Sequence, residues 1–218
     1  MIPKQRLLTT LGERGVVAVI RTESSLDLVA VARALHKGGC KFVEITMTVP
    51  GALDIIHDAA QKLTDTDLMI GAGTVLDAET ARAAILAGSQ FIVGPVFDAE
   101  VVRVCATYGI AVMPGAMTPT EILTAWRSGA DVVKVFPGDV GGPGFLKAIK
   151  EPLPQIELLP TKGVDFDTAR AYIEAGAIAV GAGSCLVSNP LIAARDYTRI
   201  TENAERLTRI VREAKGSK

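Results

Sequence analysis

A lysine and a glutamate, each embedded in an aliphatic run, are the pair in this sequence best suited to covalent chemistry. Lys134 sits in Val132-Val133-Lys134-Val135-Phe136, and Glu44 in Phe42-Val43-Glu44-Ile45-Thr46. Burying an ammonium or a carboxylate in such surroundings is costly unless the group is paired, neutralised or used. A neutral lysine amine attacks carbonyls, and a neighbouring carboxylate can move the protons that imine formation requires. If both runs are strands, side-chain alternation sends Val133, Val135, Val43 and Ile45 to one face and leaves Lys134 and Glu44 on the other, where they can share a cavity. The competing reading is a structural Lys–Glu pair. It would stabilise poorly, because desolvation can exceed the Coulomb gain.

Further polar residues fall where such runs end. Arg21 follows directly on Val16-Val17-Ala18-Val19-Ile20 and offers a planar fork suited to a carboxylate, although a solvated charge at a strand end fits equally. Thr46, Thr74 and Thr161 each place a hydroxyl at a run's end, Pro95 follows the fourth run, and Phe136 closes the run of Lys134. Two glycine-rich turns, Thr161-Lys162-Gly163 and Gly181-Ala182-Gly183-Ser184, have the character of anion-binding loops. The second is not a dinucleotide fingerprint, since Leu186 stands where the third glycine would be, so no nicotinamide cofactor is expected. His36 and His57 fall on predicted helices, and no His, Asp and Glu cluster with metal-ligand spacing follows the runs, so no metal is expected either.

The elements that must position these residues repeat eight times. Apolar runs at 16 to 20, 42 to 46, 69 to 73, 91 to 94, 111 to 115, 132 to 136, 156 to 160 and 179 to 183 start 20 to 27 residues apart, leaving room each time for one helix and two loops. Near-continuous apolar runs mark parallel strands covered on both faces. Thr118-Pro119-Thr120-Glu121 reads as a helix N-cap with Pro at the first position and a capping box; Ser24 with Asp27 suggests a second box. Gly39, Gly88, Gly109, Gly129 and Gly176 each close a predicted helix, and a last helix is expected over about 191 to 214. Eight strand-then-helix units with no break in composition predict a single (β/α)8 TIM barrel over 1–218 with a short N-terminal helical extension. A doubly wound open sheet is the alternative.

Composition narrows the partners. With 23 basic and 24 acidic residues in 218, the net charge of −1 gives no reason to expect nucleic acid or an anionic membrane, which leaves small molecules. No apolar stretch reaches the roughly 18 residues that span a bilayer, and the first residues lack the apolar run of a signal peptide, so a cytoplasmic address is expected. Cys40, Cys105 and Cys185 are odd in number and far apart, and are expected to be buried free thiols.

With these motifs assembled, the chain resembles the bacterial 2-keto-3-deoxy-6-phosphogluconate (KDPG) aldolases, also called KHG/KDPG aldolases. The resemblance rests on Val43-Glu44-Ile45-Thr46, Gly71-Ala72-Gly73-Thr74, Met113-Pro114-Gly115, Val133-Lys134-Val135-Phe136-Pro137 and Gly183-Ser184, and covers nearly the whole chain. It implies a Schiff-base lysine at Lys134, an acid/base carboxylate at Glu44, a homotrimer, and cleavage of a 2-keto acid phosphate to pyruvate and glyceraldehyde 3-phosphate. Two positions depart from the pattern. Thr48 stands where some members carry an arginine for the pyruvate carboxylate, a role that Arg21 can take. Lys162 stands where the family usually has glycine; it resists a positive φ but brings charge to a phosphate site. The galactonate epimer, 4-hydroxy-2-oxoglutarate and a phosphosugar-binding barrel without turnover remain as alternatives.

Overall fold

The computed structural model describes residues 3–22 and 27–216. All eight apolar runs form strands: β1 (Val16–Ile20), β2 (Phe42–Thr46), β3 (Met69–Gly73), β4 (Phe91–Val93), β5 (Ala111–Met113) with β6 (Gly115–Ala116) from one run, β7 (Val133–Val135), β8 (Leu158–Pro160) and β9 (Val180–Ala182). Every pairing is parallel, in two ladders ordered β5-β4-β3-β2-β1-β9 and β6-β7-β8. Pro114, which has no N–H to donate, separates β5 from β6. One bridge, Thr161 to Gly181, joins the free edge of β8 to β9. The architecture is therefore an α/β fold around a curled parallel sheet. The expected closed barrel is met in this coarser form, because the pairing on the β6–β9 side thins to short ladders and a single bridge.

Helices α2 (Leu28–Lys37), α3 (Ala52–Lys62), α4 (Ala78–Ala87), α5 (Ala99–Thr107), α6 (Pro119–Arg127), α7 (Gly138–Lys150) and α8 (Ala169–Glu174) alternate with the strands and cover the outer face. Apolar spacing explains the packing: in α10 (Tyr197–Gly216), Ile200, Ala204, Leu207, Val211 and Ala214 form one buried stripe. Thr118 and Glu121 make the anticipated capping box of α6. The five closing glycines all have positive φ, from 66° to 112°. Ser24 lies outside the described residues; Asp27 itself caps α2 by accepting from Ala30 N. The expected last helix is two, α9 (Asn189–Ala193) and α10. The chain turns at Arg195 (φ 53°), and Asp196 accepts from Arg199 N to start the second helix. Cys40 and Cys105 are buried, whereas Cys185 is only partly so.

The sheet separates two apolar clusters. Val43, Ile45, Val133 and Val135 belong to the larger one, between sheet and helices. The smaller one fills the interior of the curl with Val17, Phe42, Met69, Phe91, Val93, Met113, Val132 and Leu159, and Leu7 and Leu11 of α1 (Lys4–Arg14) join it. That helix closes the interior at the N-terminal ends of the strands.

Candidate active site

Glu44 lies two residues beyond Phe42 on β2, and Lys134 two beyond Val132 on β7, so both share the interior parity of that smaller cluster. The alternation inferred from sequence holds. Glu44 is 1% exposed and Lys134 3%. Among the described residues, no ion pair joins them or gives either another counter-ion, and Glu44 Oε1 has no hydrogen-bond partner. An arrangement evolved only for stability would pair such groups.

Small neighbours make the room. A Cβ on Gly73 would lie 1.9 Å from Glu44 Oε1, so the carboxylate passes over β3 only because residue 73 has no side chain. Gly181 does the same for Thr161, whose Oγ1 would lie 2.4 Å from an added Cβ and is itself buried without a partner. In register, Lys134 is flanked by Gly115 and Leu159. Its Nζ stands 5.1 Å from the centroid of the Phe136 ring, and its backbone N donates to Pro114 O. The side chain thus has an aromatic wall and, among the described residues, no ion-pair partner.

The remaining candidates ring the C-terminal ends of the strands. Thr46 is buried and its hydroxyl lies 2.8 Å from that of Thr48, a pairing that sequence reading missed. Thr74 has φ 58°, a conformation that costs a β-branched residue about 1–3 kcal/mol and persists where surroundings impose it. Pro95 packs its backbone against Gly115. Arg21 is exposed at the end of β1 and forms no hydrogen bond or ion pair among the described residues. Lys162 adopts φ 70° and Gly163 φ 74°, so the lysine does occupy the left-handed backbone that it was expected to resist. Its Nζ lies 3.6 Å from Asp139 Oδ2. Asp139 was overlooked because an acidic residue in a helix's first turn reads as a response to the helix dipole. Gly183 accepts from Leu186 N and Val187 N in the turn that carries exposed Ser184. The described residues gather no group of three or more His, Cys, Asp or Glu side chains that could hold a metal ion.

Residues 8–203 match the family described as KDPG and KHG aldolase. The chain belongs to that family. A 2-dehydro-3-deoxy-phosphogluconate aldolase of Treponema pallidum is 34% identical over 197 residues, 90% of this chain and 93% of its own. A 2-dehydro-3-deoxy-6-phosphogalactonate aldolase of Escherichia coli is 32% identical over 206 residues, 91% of this chain and 95% of its own. Among solved structures, KDPG aldolase from Legionella pneumophila, with pyruvate captured as a covalent carbinolamine intermediate, superposes with a TM-score of 0.82 at 27% identity, covering 92% of this chain and 97% of that one. In this KDPG and KHG aldolase family member, no described helix is long and apolar enough to cross a membrane.

Proposed function

We propose that the chain is a class I, Schiff-base aldolase that cleaves a 2-keto-3-deoxy acid phosphate to pyruvate and an aldehyde such as glyceraldehyde 3-phosphate. The observation that carries this reading is the inward-facing Lys134 and Glu44, both buried and neither ion-paired among the described residues. Lys134 Nζ, as the neutral amine, attacks the C2 ketone to give a carbinolamine, and loss of water leaves an iminium. The iminium accepts the electron pair of the C3–C4 bond as it breaks, releasing the aldehyde and leaving an enamine. Protonation of the enamine at C3 and hydrolysis release pyruvate and regenerate the amine. Glu44, directly or through one water, takes the proton from the C4 hydroxyl and donates during carbinolamine dehydration.

Arg21 holds the substrate carboxylate, with Thr74 and Thr46 orienting it, while Phe136 and Pro95 keep the imine dry. The loops carrying Thr161, Lys162, Gly163, Gly183 and Ser184 bind the distal phosphate. The reaction uses no metal or cofactor. We further propose one domain over 1–218 closed as a (β/α)8 barrel, a reading supported by the Thr161–Gly181 bridge and by β5 and β6 arising from one run. Assembly as a homotrimer follows from the family resemblance, with exposed Leu76, Leu86 and Val96 offering apolar surface for contact, and a cytoplasmic address is the location that goes with this reading. A second reading, preference for the galactonate epimer, is favoured by the Escherichia coli relative; kcat/KM for the two epimers separates them.

The direct test is borohydride reduction in the presence of pyruvate followed by peptide mass mapping. One adduct, on Lys134, is expected, and none in Lys134→Met. An adduct on Lys162 or Lys147 overturns the assignment.

A further inference from the structure

The rim carries a charge pair whose acidic member has no part in the chemistry above. Lys162 Nζ and Asp139 Oδ2 lie 3.6 Å apart, too far for a hydrogen bond, with both side chains well exposed. Two glycines press their segments together. A Cβ on Gly138 would fall 2.7 Å from Lys162 O, and one on Gly163 would fall 2.6 Å from Asp139 Cβ. Gly138 N also donates to Thr161 O, and Tyr172 Oη donates to Gly138 O. Asp139 is thereby fixed beside Lys162. The nearby Asp165 is engaged elsewhere, its Oδ1 accepting from the backbone of Asp167 and Thr168 and from Thr168 Oγ1. Among the described residues, Lys162 is the one ion partner of Asp139. The pair follows directly on Thr161, whose unpartnered hydroxyl faces the interior.

We propose that Asp139 and Lys162 form an exchangeable ion pair that sets selectivity for the charge on the far end of the substrate, making Asp139 a specificity-determining residue. The inference rests on the aldolase reading. On binding, the substrate's terminal phosphate takes Lys162 from Asp139, whose carboxylate turns to water. A monoanionic end offers Lys162 no more charge than Asp139 already does, so that exchange is close to balanced. A phosphate dianion offers more charge and more acceptor oxygens, so its exchange is favourable. A neutral end drives no exchange. Breaking the pair costs the same whichever anion takes Lys162, so Asp139 lowers affinity for charged ends by one common factor and narrows the margin between charged and uncharged ends.

The test compares kcat/KM for 2-keto acids with a phosphorylated, a carboxylate and an uncharged far end. Asp139→Asn is expected to lower KM for both anionic substrates several-fold, so that the ratio of phosphorylated to uncharged kcat/KM rises by about that factor. Lys162→Gly, which also relieves the positive φ, is expected to raise KM for the phosphorylated substrate about tenfold. The defect is expected to be largest for the phosphorylated substrate, smaller for the carboxylate and smallest for the uncharged one. Lys162→Arg should restore most of the phosphorylated-substrate KM. An unchanged ratio in Asp139→Asn overturns the proposal, as does a Lys162→Gly defect equal for charged and uncharged ends. Pyruvate trapping on Lys134 is followed throughout. Its failure in the unmodified protein would sink the aldolase reading itself, a separate result from any change in selectivity.

Discussion

The two ends of the curled sheet treat charge in opposite ways. At the N-terminal ends of the strands, Lys4 pairs with Asp131 at 2.9 Å, and the other oxygen of Asp131 accepts from Val112 N. Lys41 and His36 both reach Asp67, and Lys215 donates to the carbonyls of Gly12 and Ile178. Ser89 Oγ and Arg82 Nη1, the latter on a guanidinium stacked over the Tyr108 ring, are buried without hydrogen-bond partners among the described residues and are exceptions there. Toward the C-terminal ends, Glu44 and Lys134 are buried without counter-ions among the described residues, Thr161 Oγ1 has no hydrogen-bond partner among them, and Thr74 and Lys162 hold left-handed backbone. One end satisfies its groups; the other keeps them available. On the proposed reading the same strands serve stability at one end and chemistry at the other, and substitutions should divide along that line.

The largest expected effect is at the chemical end. Glu44→Gln should lower kcat about 10²- to 10⁴-fold with little change in KM, because proton transfer is lost while binding is kept. Its unfolding midpoint should be equal or higher, since a buried carboxyl with no counter-ion among the described residues gives way to a neutral amide. A normal kcat would make Glu44 a structural residue. At the opposite end, Leu11→Ala truncates a fully buried side chain of α1 that packs in the interior cluster. It should cost about 2–5 kcal/mol in denaturant unfolding and leave kcat within about twofold. A large fall in kcat with intact stability would show that the two ends are coupled.

This division was partly legible in the sequence. Strand parity in the sequence puts Lys134 and Glu44 on one face, because Val133, Val135, Val43 and Ile45 suit the side that faces the helices. The helix-closing glycines were legible because left-handed backbone favours glycine so strongly. Asp139 and Thr48 were not, since each acquires meaning from a partner, Lys162 at 3.6 Å and Thr46 at 2.8 Å. The break at Arg195 was hidden because apolar spacing continues across it, and the cap at Asp196 is a local bond that periodicity does not report. Edge closure between β8 and β9 depends on a single bridge, a long-range contact that no local pattern encodes.

Arg21 offers an intermediate test. It is exposed and unpaired among the described residues, so removing it should not disturb the fold. If it holds the substrate carboxylate, Arg21→Ala should weaken pyruvate capture by borohydride about 10- to 150-fold, the loss of one charge-assisted pair. Arg21→Lys should recover only part of this, lacking the bidentate fork. Wild-type pyruvate capture in Arg21→Ala, with unchanged circular dichroism, would move carboxylate recognition to Thr46, Thr48 or backbone N–H groups.

The smallest effect belongs to the paired end and depends on pH. Hydrogen bonds from Lys41 first, and then His36, hold the Asp67 carboxyl at about 2, below its ordinary value. A carboxyl whose folded value is depressed contributes stability above its unfolded value of about 3.9, and that contribution is lost as pH falls through 2. Because the Asp67 side chain is 65% exposed, solvent and salt screen the interaction, and its worth at neutral pH is under about 1 kcal/mol. Other carboxylates titrate across the same range, so the informative quantity is the stability difference between the unmodified protein and Asp67→Asn. That difference should shrink between about 4 and 2, and diminish at neutral pH in high salt. Throughout, kcat/KM of Asp67→Asn at neutral pH should match the unmodified protein, because Asp67 lies beyond the apolar floor formed by Phe42, Met69 and Phe91. A catalytic defect at neutral pH with stability intact would mean that charge at the paired end reaches the reacting carbonyl, and the separation of the two ends would fail.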